Sequence, residues 1–211
     1  MNSPYPIHLN LYGKKVSIIG GGAIAERKVK QLLDTGAIIE IISPDLTVTL
    51  HETLKGNENI FWKKKRFTSE DLVDAFLIIA ATNDRETNQL VGKLKNNYQL
   101  ANIADDPSAS NFIVPSIVKR GKLTFSVSTS GASPTLSSKI SRQLEEVYDQ
   151  RYEDYLEFLD SCRKFVLANV TDKVKKKQLL SAIVNHTYLD SNKREADFIV
   201  LYNNVMSTQI E

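Results

Sequence analysis

The sequence is poor in cysteine and histidine, and both shortages exclude kinds of site. Its 211 residues include one cysteine, Cys162, so no internal disulfide can form, and a reducing compartment is indicated. Cys162 lies among apolar residues, which favours a buried structural thiol over a nucleophile. The three histidines, His8, His51 and His186, do not have the spacing of metal ligands. We therefore predict no permanent metal site.

The sequence also lacks a long apolar run and a strong net charge. No apolar stretch approaches the ~18 residues that a membrane span needs, and no basic segment followed by an apolar run opens the chain. We therefore expect no membrane partner and a cytoplasmic location. The formal net charge is +2, so nothing calls for a nucleic-acid partner. A chain of this length can hold one sizeable core and a smaller second unit.

A glycine turn follows the first apolar run and organises the rest of the chain. Val16–Ile19 predicts a buried central strand, and Gly20, Gly22 and Ala25 then fit the pattern G-x-G-x-x-G/A. The first glycine permits a tight turn, the second lets a pyrophosphate approach the backbone, and the alanine lets the helix pack closely. Ile38–Ser43 completes a βαβ unit. This context favours a dinucleotide site over an ordinary strand–helix turn.

The residues after the second predicted strand bear on the choice of cofactor. Asp45 lies near the position expected for a carboxylate that binds the ribose, and no arginine follows where a 2′-phosphate would sit. NAD is therefore favoured over NADP. Pro44 displaces the carboxylate beyond the strand end, so Ser43 is expected to share the ribose contact. The predicted cofactor-binding residues are Gly20, Gly22, Ala23, Ile24, Ala25, Ser43, Pro44, Asp45, Thr82 and Asn83.

Polar residues also end two later apolar strands. Thr82 and Asn83 follow the run Ala75–Ala81, and Asp105 follows Leu100–Ala104. Ligands of open α/β sheets bind outside the carboxyl ends of the strands. We therefore expect these three side chains at the binding crevice, although Thr82 and Asn83 could simply cap a helix and Asp105 could have a structural role. Asp106 precedes a proline and is expected to cap a turn.

The pattern predicts three segments of different architecture. Residues 1–113 predict a Rossmann-type α/β domain with a parallel sheet, 114–149 a small α+β dimerisation segment, and 150–211 an all-α domain.

Strands are expected at 60–67, where the cluster Lys63–Arg66 is interpreted as solvated rather than anion-binding, and at 112–118, with Pro115 inside. The helix predicted at Pro134–Val147 carries an apolar stripe formed by Leu136, Ile140, Leu144 and Val147. This helix and the alternating strand Leu123–Val127 do not continue a parallel sheet. We expect them to bury their surface in a homodimer.

Several motifs, taken in order, resemble the precorrin-2 dehydrogenase family, stand-alone relatives of the N-terminal part of siroheme synthase. The resemblance covers about residues 7–145, and as an ordered set the motifs are specific. The matching segments are Gly20–Lys28, Ala80–Asp84, Asn102–Pro107, Phe112–Ser116 and Ser128–Pro134.

The resemblance implies NAD-dependent oxidation of the tetrapyrrole precorrin-2 to sirohydrochlorin, on the route to siroheme, by a homodimer. Asp105 aligns with the family's catalytic aspartate, and Thr129 replaces a serine that is regulatory in the synthase form. Some members also act as sirohydrochlorin ferrochelatase and others leave iron insertion to a separate chelatase, so this activity stays open. Two alternatives also stay open: an NAD-sensing regulatory module and a dehydrogenase of another small substrate.

Overall fold

The fold was taken from a computed structural model that describes residues 4–207. The chain divides into two compact units, Met1–Val114 and Pro115–Glu211. The further division of the second unit into a dimerisation segment and a helical domain stays a prediction. The first unit contains β1 (Lys15–Ile19), α1 (Ala23–Leu32), β2 (Ile38–Ile42), α2 (Val48–Lys55), β3 (Ile60–Lys63), β4 (Leu77–Ala80), α3 (Arg85–Leu94) and β5 (Leu100–Ile103), with 3₁₀ turns at Leu33–Thr35 and Ser69–Leu72.

The five strands form one parallel sheet in the order β3-β2-β1-β4-β5. β1 is central, and its Val16 and Ile18 are completely buried, as a strand covered on both faces requires. The chain adds strands to one side of β1 and then, from β4, to the other side. This reversal creates the kind of crevice at which open α/β sheets bind ligands. The predicted Rossmann-type architecture is confirmed.

The third strand is shorter than the apolar pattern predicts. β3 ends at Lys63, and not at Phe67. Lys65 instead forms an ion pair of 2.9 Å with the buried Asp71, which also accepts a hydrogen bond from the backbone N–H of Thr68. Thr68 and Asp71 form a capping box that starts the following 3₁₀ turn. This local hydrogen bonding draws the chain away from the sheet edge.

The second unit begins with a hairpin and continues as helices. Its elements are β6 (Ser116–Arg120), β7 (Leu123–Val127), α4 (Pro134–Val147), α5 (Arg151–Asn169), α6 (Lys173–Ala182), α7 (His186–Asp190) and α8 (Arg194–Ser207). The predicted strand at 112–118 is wrong at both ends. β6 begins only after Pro115, which has no N–H to donate to a ladder, and it continues to Arg120, which pairs with Leu123 across the hairpin. None of the helices in residues 4–207 is long and apolar enough to cross a membrane.

Helix α4 buries an unexpected face against the hairpin. Its buried residues are Ser137 and Ser141, and the hydroxyl of Ser137 lies 3.5 Å from the hydroxyl of Ser116 in β6. Leu136 and Val147, from the predicted apolar stripe, are 48% and 64% exposed. The unit therefore leaves much of this apolar stripe without a packing partner.

Candidate active site

The turn after β1 is too tight for a side chain at its first glycine. Gly20 has a φ of +120°, and an added Cβ would lie 2.3 Å from the carbonyl oxygen of Ala81, at the end of β4. The Gly20 N–H donates to the carbonyl of Ile42 at 2.9 Å. The turn is thus wedged between the ends of β2 and β4, and the tight turn predicted at this glycine is confirmed.

Gly21, a variable position of the motif, is equally constrained. An added Cβ would lie 2.1 Å from the carbonyl oxygen of Asp45. The N–H of Thr47 donates to the Gly21 carbonyl at 3.0 Å, so the loop after β2 closes against the turn. The sequence analysis missed this requirement, although three consecutive glycines were its signal.

Gly22 differs from Gly20 and Gly21 because the space that a side chain would occupy is open. No atom lies within 4 Å of an added Cβ, and its φ of −86° is ordinary. Gly22 is the N-cap of α1, whose first N–H groups are free to bind an anion. Ala25 is completely buried under the sheet core. Open space in front of a helix N-terminus is what a dinucleotide pyrophosphate requires, so these residues fit the predicted cofactor.

The glycine turn opens into a cavity of about 470 Å³ at the carboxyl ends of β1, β2 and β4. Six of the predicted cofactor residues line it. The complete lining is Ile19, Gly20, Gly21, Gly22, Ile42, Ser43, Pro44, Arg66, Phe67, Ala81, Thr82, Asn83, Asp84 and Thr87. The cavity therefore lies where the winding of the sheet reverses.

The other four predicted cofactor residues do not line this cavity. Ala23 and Ile24 are exposed in the first turn of α1, and Ala25 is buried behind it. Asp45 is exposed beyond Pro44, and its backbone oxygen is the atom that an added Cβ on Gly21 would meet first. Cofactor contacts from these four stay predictions.

Arg66 is a cavity residue that the sequence analysis did not single out within the cluster Lys63–Arg66. The three lysines are occupied elsewhere: Lys63 pairs with Glu40 at 2.9 Å, Lys65 pairs with Asp71, and Lys64 lies over the Trp62 ring. Arg66 instead lines the cavity. Local sequence gives four equivalent cations, and only the fold distinguishes them.

Asp84 adds a negative charge to the cavity wall. It caps α3 by accepting hydrogen bonds from the N–H of Glu86 and the hydroxyl of Thr87. The hydrogen bond from Thr87 lowers the pKa of Asp84, and the positive charge of Arg66 contributes. The cavity wall therefore carries charges of both signs.

Asp105 follows β5 and is linked to the cavity by one side chain. The amide nitrogen of Asn88 donates to Asp105 Oδ1 at 3.0 Å and to the Thr82 carbonyl at 3.0 Å. Asp105 itself is exposed and is not part of the cavity lining. No sequence motif indicated Asn88, which occupies a helix face otherwise facing the core.

Asp106 has the structural role that its sequence context predicts. Its carboxylate accepts hydrogen bonds from the hydroxyl and N–H of Ser108 and from the N–H of Ala109. The Ser108 hydroxyl contributes most to lowering the pKa of Asp106. Asp106 caps the turn, whereas its neighbour Asp105 has no such turn to hold.

A larger cavity, of about 790 Å³, lies between α5 and α8 in the second unit. Aromatic rings and the buried Cys162 line it, and none of the predicted site residues is present there. Burial raises the pKa of the Cys162 thiol to about 11, and the charge of Glu195 adds to this. The prediction of a structural thiol at this position is supported.

Comparisons with known proteins agree with this geometry. The family model described as "Putative NAD(P)-binding" matches residues 7–116, and that of the "SirC C-terminal domain" matches 152–197. A precorrin-2 dehydrogenase of Priestia megaterium is 35% identical over 92% of this chain and 96% of that protein. The solved structure "SirC, precorrin-2 dehydrogenase" has a TM-score of 0.82 and 34% identity, covering 95% of this chain and all of that one.

The chain belongs to the precorrin-2 dehydrogenase family. A second precorrin-2 dehydrogenase, of Bacillus subtilis, is 38% identical over 68% of this chain and 88% of that protein. Siroheme synthase 3 of Aeromonas hydrophila is 38% identical over 77% of this chain but only 35% of its own length. The family's NAD(P)-binding model contains every strand of the parallel sheet and therefore the whole glycine-turn cavity.

Proposed function

We propose that this chain oxidises precorrin-2 to sirohydrochlorin and uses NAD⁺ as the hydride acceptor. The observation that carries the proposal is the pairing of an open glycine-turn cavity with a carboxylate, Asp105, at the end of β5. The names of the relatives identify the substrate. An NAD-sensing module would need no such carboxylate beside its nucleotide cavity.

The chain's own residues would hold the cofactor at defined places. The free N–H groups following Gly22 bind the pyrophosphate, because a helix N-terminus attracts anions. Ser43 and Pro44, which line the cavity, and the exposed Asp45 after them would contact the ribose, and Thr82 and Asn83 would contact the remaining cofactor at the end of β4. When bound, NAD⁺ supplies the hydride acceptor, and the protein supplies position.

Asp105 is the proposed catalytic carboxylate. Removing a hydride from a reduced tetrapyrrole also requires the loss of a proton, and a carboxylate can accept or relay it. Asp105 is exposed, so a substrate can reach it, and it is held by Asn88 rather than used to cap a turn. The single cysteine, Cys162, is buried and forms no disulfide, which is consistent with the proposed cytoplasmic location.

The active form is proposed to be a homodimer. In residues 4–207 the hairpin β6–β7 pairs with no further strand, and the face that α4 buries contains Ser137 and Ser141 instead of the apolar stripe. Leu136 and Val147 on α4 and Ile117 on β6 are 48%, 64% and 43% exposed. A second copy would bury these apolar side chains. Light scattering at micromolar concentration should therefore give twice the chain mass, and a monomer would contradict the proposal.

The proposed function is tested by anaerobic incubation with precorrin-2 and NAD⁺. We expect the absorption spectrum of the tetrapyrrole to change to that of sirohydrochlorin, with one NADH formed for each molecule oxidised. The matched control omits NAD⁺ and should show no conversion. Binding of NAD⁺ without any spectral change of the tetrapyrrole would instead support a sensing module.

A further inference from the structure

Asn88 is a completely buried polar side chain whose amide oxygen and nitrogen are both hydrogen-bonded. Its oxygen accepts a hydrogen bond from the N–H of Thr82 at 3.2 Å and lies 2.8 Å from the Thr82 hydroxyl. Its nitrogen donates to the Thr82 carbonyl and to Asp105 Oδ1, both at 3.0 Å. Both hydrogens of the Asn88 amide are therefore donated, and its oxygen accepts from the Thr82 N–H. The one hydrogen of the Thr82 hydroxyl is shared with the Asp84 carbonyl, which also lies 2.8 Å away.

Three of these contacts hold the loop between β4 and α3, but the fourth reaches a different loop. Helix α3 does not need this fourth contact to form, because Asp84 caps it and Val91 anchors it in the core. Asp105 lies in the loop that follows β5. Asn88 thus connects the cavity residue Thr82 to Asp105.

We propose that Asn88 is a positioning residue that orients the Asp105 carboxylate for proton transfer. Within residues 4–207, Asp105 Oδ1 receives its hydrogen bond from Asn88, and Oδ2 is left as the oxygen available to the substrate. The proposal rests on the proposed function, since it requires Asp105 to act on the tetrapyrrole. It adds the residue that fixes the carboxylate relative to the cofactor cavity.

A neutral amide suits this position because it is in direct contact with the Asp105 carboxylate. The loop after β4 contains Asp84, with Arg66 near it, and the loop after β5 contains Asp106, with Arg85 near it. A carboxylate in place of Asn88 would lie about 3 Å from Asp105, and two carboxylates at that distance do not both ionise readily. The amide donates a hydrogen bond to Asp105 without adding a further negative charge.

Two substitutions separate positioning from a structural role. Asn88→Ser removes the contact with Asp105 and adds no charge, so kcat should fall by about tenfold or more. The same substitution also removes the contacts with Thr82, so the Kd for NAD⁺ is expected to rise as well. Asn88→Asp should lower kcat similarly and also move the acid-side midpoint of the pH–kcat profile upwards by about one unit or more. Gln89→Glu is the matched control, because it adds the same charge at the exposed neighbouring position and should leave the profile unchanged.

The proposal is overturned if both Asn88 variants fold and keep kcat within about threefold of the parent, with an unshifted pH profile. If the single variants do not fold, the double variant Asn88→Asp with Asp105→Asn decides. In that protein the amide introduced at position 105 could donate to the carboxylate introduced at position 88. Restored thermal stability supports the contact between positions 88 and 105, on which the positioning role depends. Turnover is not the readout here, because this variant lacks the Asp105 carboxylate. A double variant as unstable as Asn88→Asp alone overturns the proposal.

The proposed function itself fails only if the parent protein does not convert precorrin-2 with NAD⁺. The catalytic role of Asp105 is tested separately, through Asp105→Asn alone. Unchanged turnover in that variant removes the catalytic role of Asp105 itself. Loss of turnover there, together with normal turnover in the Asn88 variants, removes only the positioning role.

Discussion

Replacing Gly22 by aspartate should abolish tight NAD⁺ binding and leave the fold intact. Nothing lies within 4 Å of an added Cβ, and the backbone at this N-cap is extended and unstrained. Aspartate and asparagine are both favoured N-caps, so the free energy of unfolding should change by less than about 0.5 kcal/mol. Gly20→Ala should instead lower the stability of the fold, because its Cβ would lie 2.3 Å from the Ala81 oxygen.

The expected loss of affinity follows from the charge introduced. A carboxylate about 4 Å from a phosphate is repelled by ~1 kcal/mol in water and ~4 kcal/mol at the effective dielectric near a protein surface. Gly22 is exposed, so an intermediate value of about 2–3 kcal/mol applies, and this weakens binding by roughly 100-fold.

Calorimetric titration with NAD⁺ measures this loss, and thermal unfolding checks the fold. Gly22→Asn is the matched control, since it adds the same volume without the charge and should weaken binding by about tenfold or less. A Gly22→Asp protein that binds NAD⁺ within about threefold of the parent would refute the placement of the pyrophosphate at this turn.

Two further substitutions test the cavity wall and the crossover to β4. Arg66→Gln should weaken NAD⁺ binding by about three- to tenfold in calorimetry, whereas Lys64→Gln, whose parent side chain lies over Trp62, should leave it unchanged; equal effects would contradict the assignment. Burial opposes ionisation of Asp71, but hydrogen bonds from Lys65 and Thr68 prevail and lower its pKa below 3.8. Asp71→Asn should therefore cost about 1–3 kcal/mol in denaturant unfolding at pH 7. This cost should shrink as the pH falls below 3.8 through the folded pKa, and a pH-independent cost would contradict it.

The parts of the site that the sequence predicted are those encoded by local pattern. The run Val16–Ile19 and the glycines that follow specify a strand, a turn and a helix start within one short stretch. Asn88 and Arg66 could not be found in this way, because their roles depend on loops that are distant in sequence and meet only in the folded sheet. The end of β3 was missed for a different reason: the ion pair of Lys65 with the buried Asp71 and the capping box after it are local, but the apolar pattern of the strand does not reveal them.

The packing of α4 illustrates a second limit of prediction from sequence periodicity. Helical periodicity identifies an apolar stripe that includes Leu136 and Val147, but it cannot say which partner covers that stripe. Within the second unit the small residues Ser137 and Ser141 face the hairpin instead, because they allow close approach of the helix. Periodicity thus predicted the helix and left its packing partner open.

Turnover of the Asp105→Asn variant tests the central claim most directly. The amide keeps the shape of the carboxylate and can still accept the hydrogen bond from Asn88. Loss of a general base typically costs about 10²–10⁴-fold, so single-turnover oxidation of precorrin-2 with NAD⁺ should slow by about that factor. Asp106→Asn, in the adjacent turn, should slow it by less than about threefold. Oxidation by the Asp105→Asn protein at the parent rate would contradict the assignment of Asp105 as the catalytic carboxylate.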